Sequence, residues 1–290
     1  MSPMARPKSA LLRTPGARSL GNALRTARTN EGVSTRELGR RLGSRSAAWV
    51  LNLERGEVMI TPELVAAIAG ALALPERDRE RLVARARDLG ASPWTPSADL
   101  PDQLTTLIGY EREASRITEL ARIVPGLLQT EDYARAMIAA LPGRYDVDEL
   151  IRVRMERQSV LTSVNAPKYR AMLDESVLRK PIGGHAVMAG QLAHLLEVAS
   201  AHNVEILIIA DDQGAYPGMS APFTLLEFED TDPVVYVELM TTGTWINKPG
   251  DTVGYLPALD RLATVALSSD ESMQVVAKYR THHEGQAPSP

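Results

Sequence analysis

The sequence predicts an all-α N-terminal domain of five helices, followed by an α+β domain with a small, mainly antiparallel sheet. Three observations predict it. Through residue 90 the apolar residues recur at helical spacing, between Gly and Pro punctuation. After Pro167 the period shortens, and YRAMLDE, VEILIIA, FTLLEFE and VVYVELM read as strands by length and β-branching, with TWI a possible fifth. Between the two stretches, ASPWTPSADLP (91–101) is a Pro/Ser-rich break that reads as a linker.

Taken in order, residues 1–18 hold three prolines and scattered basic residues with no sustained period, and read as a flexible arm. A first helix is expected over 19–31, with Leu20, Leu24 and Ala27 on one side and Gly32 ending it. Ser34 and Glu37 then have capping-box spacing, and Val33 with Leu38 can form a hydrophobic staple. The helix they start buries Leu38 and Leu42, and Gly43 suits a left-handed turn after it. Another helix follows at once. Its Val50 and Leu53 share a face with Ser46 and Ala47, which turns Arg45, Ala48, Asn52 and Arg55 outward. Thr61-Pro62 marks the N-cap and first position of a fourth helix, and Pro75 opens a fifth that ends near Gly90.

Two short helices joined by a tight turn make a helix-turn-helix, whose second helix enters the DNA major groove. The outward residues suit that role: arginine matches guanine O6/N7, asparagine matches adenine N6/N7, and an alanine methyl can touch the thymine methyl. With Arg36 and Arg40 of the preceding helix and the serines of the turn, the expected DNA-contacting set is Arg36, Arg40, Ser44, Arg45, Ser46, Ala48, Asn52 and Arg55. Charge supports the reading. Residues 1–92 hold 16 Lys+Arg against 9 Asp+Glu, while the remainder holds 16 against 27, so the net charge of −4 hides a basic head on an acidic body.

LGNALRTARTNEGVSTRELGRRLG, LERG and TPELVAAIAGAL, within residues 19–74, resemble the lambda-repressor-like (Xre/Cro) helix-turn-helix family. The resemblance implies a five-helix DNA-binding domain that commonly binds inverted repeats as a dimer. Gly43 and Gly56 lie thirteen residues apart, one more than that family's usual spacing, which leaves the register of the reading helix open.

The second domain is expected over 102–281, with a loose tail at 282–290. Apolar residues at Leu104, Leu107 and Ile108 give a helix from 102 that thins by 119 into a mixed charged face. Pro125-Gly126 breaks the chain, Thr130 caps a helix, and further helices are expected over 147–164, 186–201, 252–266 and 269–280. IVPGLLQTEDYARA, MLDESVLRKPIGG, GMSAPFTLLEF and VVYVE resemble the C-terminal domain of actinobacterial WhiJ-like regulators, over residues 103–280. That resemblance implies transcriptional control beside a small partner protein encoded nearby, in an antitoxin-like arrangement.

No catalytic constellation stands out. Cysteine is absent, and the five histidines form no HExxH or carboxylate–histidine ligand set. Gly183-Gly184 lacks the spacing of a phosphate loop, so no cofactor or metal is expected and the chain does not read as an enzyme. A binding site is the better expectation. GAYPGMSAPF places Tyr216, Met219 and Phe223 beside a strand, and Trp245 follows the last long strand, so these four are candidates for a partner or effector surface. The expectation is therefore a cytoplasmic, nucleoid-associated transcriptional regulator that binds double-stranded DNA as a homodimer and responds to a small protein or small-molecule effector. The alternative is an antitoxin-like interaction module with weak or no specific DNA binding. No apolar run approaches a membrane span, so no membrane partner is expected.

Overall fold

Hydroxyl side chains start three of the N-terminal helices. Ser34 Oγ accepts from the Glu37 N–H at α2 (Thr35–Arg41), Ser46 Oγ from Trp49 at α3 (Ala47–Glu54), and Thr61 Oγ1 from Leu64 at α4 (Pro62–Ala71). α1 (Pro15–Asn30) precedes them and α5 (Glu76–Gly90) follows. The computed structural model describes residues 15–90, 102–140, 146–229, 231–240 and 243–287. The chain divides into two compact units at Glu113/Ala114.

In the first unit, Leu20 and Leu24 of α1, Leu38 of α2, Val50 and Leu53 of α3 and Ile68 of α4 share one core. Four departures from the sequence expectation stand out. First, α1 begins at Pro15, so residues 15–18 belong to a helix and not to the arm. Ala17 is buried, and a side chain on Gly56 would collide with its backbone. Second, the capping box of α2 is half made: the Glu37 carboxylate turns outward onto Arg40 and Arg41 instead of back to Ser34. Third, α6 (Asp102–Glu113) groups with the first unit, which therefore has six helices among the described residues. Fourth, the turn holds two successive left-handed residues, Gly43 (φ 79°) and Ser44 (φ 66°), between the Ser34-capped and Ser46-capped helices, where the sequence expectation places only Gly43 in that conformation. The linker 91–101, the arm through residue 14 and the end of the tail fall outside the described residues.

Ser44 is an uncommon place for a side chain, since the left-handed region crowds Cβ. Ser44→Gly is expected to raise thermal stability by about 0.5–1 kcal/mol. If the hydroxyl also touches a DNA phosphate, affinity falls as stability rises, and paired melting and binding measurements separate the two effects.

The second unit is built on a six-stranded sheet in the order β3-β2-β1-β4-β5-β6. β1 (Arg116–Ala121), β2 (Lys168–Asp174) and β3 (Val204–Ile209) run parallel. β4 (Phe223–Glu227), β5 (Val234–Glu238) and β6 (Gly243–Ile246) extend it antiparallel from the other side of β1. The sheet is thus mixed, with three antiparallel and two parallel pairings, where the sequence expectation is a mainly antiparallel one. The reason lies in β1, a strand that RITELA conceals: its charges at Arg116 and Glu119 look like the end of a solvated helix. In the sheet Arg116 pairs with Glu227 across the strands and Glu119 accepts from the Tyr169 hydroxyl at 2.9 Å.

Parallel strands need crossovers. α7 (Glu131–Ala139) and α8 (Val147–Arg157) lie between β1 and β2, and α9 (Ser176–Arg179) and α10 (His185–Val198) between β2 and β3. α11 (Pro249–Thr252), α12 (Tyr255–Val265) and α13 (Ser269–Gln286) close the chain. Leu259 and Leu262 of α12 pack on the sheet face formed by Leu120, Met172, Leu225 and Val235. The outer edge of β3 is sealed: the Ile208 N–H donates to Ser272 Oγ at 2.9 Å, and the Leu267 N–H donates to the Ile208 carbonyl at 2.8 Å.

The expected loose tail is helical through Gln286. His283 is fully buried, its Nε2 2.9 Å from the Leu178 carbonyl oxygen and its Nδ1 2.9 Å from His185 Nδ1, so packing holds the helix six residues beyond residue 280.

Buried amides hold the turn after β1. Gln191 on α10 accepts from the Thr130 N–H and donates to the Leu128 carbonyl, both at 2.7 Å. Gln129 donates to the Val124 carbonyl and accepts from Arg154, also at 2.7 Å. Arg154 therefore serves the interior rather than solvent.

Candidate nucleic-acid interface

α2 and α3 approach closely because Gly39 has no side chain; a Cβ there would run into the Arg45 carbonyl. A second tie fixes α3 to α1. Arg28 Nε donates to Glu54 Oε1 at 2.5 Å and Arg28 Nη2 to Glu54 Oε2 at 3.1 Å, while Arg28 Nη1 donates to the Val33 carbonyl at 2.7 Å. Both side chains are buried, at 9% and 4% exposure, so the fork of one arginine joins α1, the loop before α2, and α3. Neither residue is singled out by sequence reasoning. The available signal is the placement of an acid at Glu54 directly beside the core position Leu53.

Val50, Leu53 and Glu54 form the inner face of α3. Ala48 and Arg55 are exposed, Asn52 is half-buried, and all three fall on the outer face as expected from the sequence. Leu51 joins them at 40% exposure, a residue that the sequence reading passes over. Ser44, Arg45 and Ser46 are exposed in the turn, with the Arg45 guanidinium carbon 5.0 Å from the centre of the Trp49 ring. Ser46 is in addition the N-cap, so its hydroxyl is engaged by the Trp49 N–H.

The arginines divide into two groups. Arg40 and Arg41 both pair with Glu37, at 2.7 and 2.9 Å, and Arg41 also donates to the Ala71 carbonyl at 2.8 Å. Arg36, Arg45 and Arg55 are exposed and, among the described residues, have no acidic partner. These three are the cations most available to phosphate or guanine.

The Glu37 carboxylate is held down to about 2, first by its hydrogen bonds from Arg40 and then by those from Arg41. Because the folded value lies below the usual one near 4.3, the interaction stabilises α2 above that pH and is lost as pH falls toward about 2. Glu37→Gln is expected to remove that acid dependence. It also frees Arg40, so binding to any duplex should tighten a few-fold at low salt, and the slope of log K against log salt should steepen by about one. Anisotropy titrations at several salt concentrations check both.

The four candidates for a partner surface do not come together. Tyr216 and Phe223 are buried in the same core cluster, and the Tyr216 hydroxyl donates to Asp174 Oδ2 at 2.6 Å. Met219 is exposed nearby, its carbonyl 3.4 Å from Arg122 Nη1. Trp245 lies on the opposite sheet face, stacked on Tyr236 at 4.4 Å between ring centres. The physical reason is strand alternation: Tyr236 is in register with Thr224, one residue from Phe223, and adjacent strand residues face opposite ways. Burial pushes the Asp174 carboxyl up, but hydrogen bonds from Ser176 and Tyr216, with Arg122 nearby, bring it below its ordinary value.

The geometry of α2, the turn and α3 is that of a helix-turn-helix, and residues 19–82 match the model of a helix-turn-helix domain. At the level of class, the chain is a helix-turn-helix DNA-binding regulator. Residues 104–278, more than half of the chain, match the family described as a domain of unknown function, DUF5753, and the chain belongs to that family. No curated protein and no solved structure matches it. No helix among the described residues is long and apolar enough to cross a membrane.

Proposed function

We propose that the chain is a sequence-specific transcriptional regulator that lays α3 in the major groove of duplex DNA, and that its second unit mediates dimerisation and binds a partner protein or small effector. The outer face of α3 carries the reading. It presents Ala48, Leu51, Asn52 and Arg55 outward, with the exposed Arg36 beside them and Arg45 set over the Trp49 ring, on a helix braced by Arg28–Glu54. Such a face offers base-edge contacts at its centre and phosphate contacts at its rim. The resemblance of the second unit to actinobacterial, antitoxin-like regulators supports a binding role for it rather than a catalytic one.

The test is salt-dependent binding of the full chain to duplexes selected from a random library. About three phosphate contacts per reader predict a slope near −3 in log K against log salt, with a marked preference for the selected sequence over a scrambled one. Stoichiometry on duplexes with one or two half-sites reports the dimer. A flat salt response with no sequence preference would favour the second reading, an antitoxin-like interaction module. The apolar Ala48 and Leu51 on the outer face give that reading its footing.

A further inference from the structure

From the outer face of α3 we infer that Leu51, with Ala48 one turn away, is the specificity-determining contact of this reader and selects a thymine methyl in each half-site. The inference rests on the DNA-binding reading above and deepens it.

The helix period places Ala48, Leu51, Asn52 and Arg55 within one arc of about 100°. Along the helix axis an exposed alanine and a leucine that keeps 40% of its surface in solvent lie between Arg45 and Arg55, with Leu51 at one edge of the arc and Asn52 at the other. Around them stand a carboxamide, Asn52, and the cations Arg45 and Arg55. The two cations thus flank the apolar pair along the helix, Arg45 before its start and Arg55 at its C-cap. A duplex has the complementary layout, with phosphates flanking a groove floor on which the thymine C5 methyl is the one apolar group at a base edge. A leucine neither donates nor accepts a hydrogen bond. Set against cytosine N4 or guanine O6 it would strip water from a polar group without replacing it, whereas against a thymine methyl it buries apolar surface at no such cost. Asn52, one residue on, is placed to read the N6/N7 edge of a nearby adenine. The preferred half-site therefore holds an A·T pair under Leu51. Because the contact reads only the methyl, 5-methylcytosine at that position is accepted far better than cytosine.

The experiment uses the full chain and acts mainly on the DNA. After selection from a random duplex library, each thymine of the enriched sequence is replaced singly by deoxyuridine, which removes the methyl and keeps the pairing. Wild type should lose about fourfold in affinity at one position per half-site. Leu51→Ala should bind the parent duplex more weakly by a similar factor and should no longer distinguish thymine from deoxyuridine there. Leu51 is exposed, and the melting temperature of the variant reports that it folds. Indifference of wild type to every deoxyuridine substitution overturns the inference, as does a Leu51→Ala variant that stays sensitive. Failure to enrich any sequence overturns the DNA-reading proposal itself and is seen before the deoxyuridine series begins.

Discussion

Replacing Glu54 with alanine is expected to cost the first unit about 3 kcal/mol, on the order of 15 °C in its melting temperature. The substitution leaves the buried Arg28 guanidinium with the Val33 carbonyl as partner and without the Glu54 counter-charge. An uncompensated charge in a low-dielectric interior is far costlier than the pair was stabilising. DNA affinity should fall with it, because the same contact holds α3 against α1. Thermal denaturation followed by circular dichroism, with amide exchange in α1 and α3, measures the effect. The double substitution Arg28→Met/Glu54→Leu separates charge from packing. It should recover much of the loss by removing the stranded charge, but not all of it, because the Val33 carbonyl also loses its donor. An unchanged melting temperature in Glu54→Ala would show that water reaches the pair and that its burial is not what fixes α3.

In the second unit, Gln191→Leu is expected to cost about 3 kcal/mol, near 10 °C. The side chain is fully buried and answers two backbone groups at once, the Thr130 N–H and the Leu128 carbonyl. Leucine fills a similar volume and satisfies neither. The turn from Val124 to Thr130 sets where α7 begins, so amide exchange should rise first in α7 and in that turn. Thr130→Ala, which removes the hydroxyl that caps α7 and also donates to Gln191 Oε1 at 3.3 Å but keeps both backbone contacts of Gln191, should cost about 1 kcal/mol. Equal losses from the two variants would mean that the Thr130 hydroxyl, and not the two backbone contacts of Gln191, holds the turn.

Much of this molecule is written locally. Ser34 and Thr61-Pro62 start helices by local chemistry, because a hydroxyl at an N-cap needs only the backbone N–H groups just after it, whereas Ser46, read as part of the inner face of α3, proves to be its exposed N-cap. Val50 and Leu53 point inward by the helix period alone, and so Ala48, Asn52 and Arg55 point outward. VEILIIA and FTLLEFE announce themselves as strands by composition. Charge adds to the local record: the basic head on an acidic body is visible by counting.

What the sequence by itself determined, then, is a capped two-helix reader with its outward face, and a following domain rich in buried strands. Only the tertiary structure decided the rest, and each case turns on a partner far away in the chain. RITELA is the strand at which the parallel and antiparallel halves of the sheet meet because β2 and β4 hydrogen-bond to either side of it, which no local pattern reports. Residues 281–286 are helical although HHEGQ lacks an apolar period, because His283 finds the Leu178 carbonyl 105 residues away. Trp245 and Phe223 part company because registers set across β4, β5 and β6 put them on opposite faces. Glu54 is a brace and Arg40 a bound cation because of what each meets: Glu54 meets Arg28, 26 residues earlier, and Arg40 meets a glutamate that declined its capping role. Periodicity tells which way a side chain points; only the packed chain tells what waits there, and that decides whether a charge is free to meet DNA.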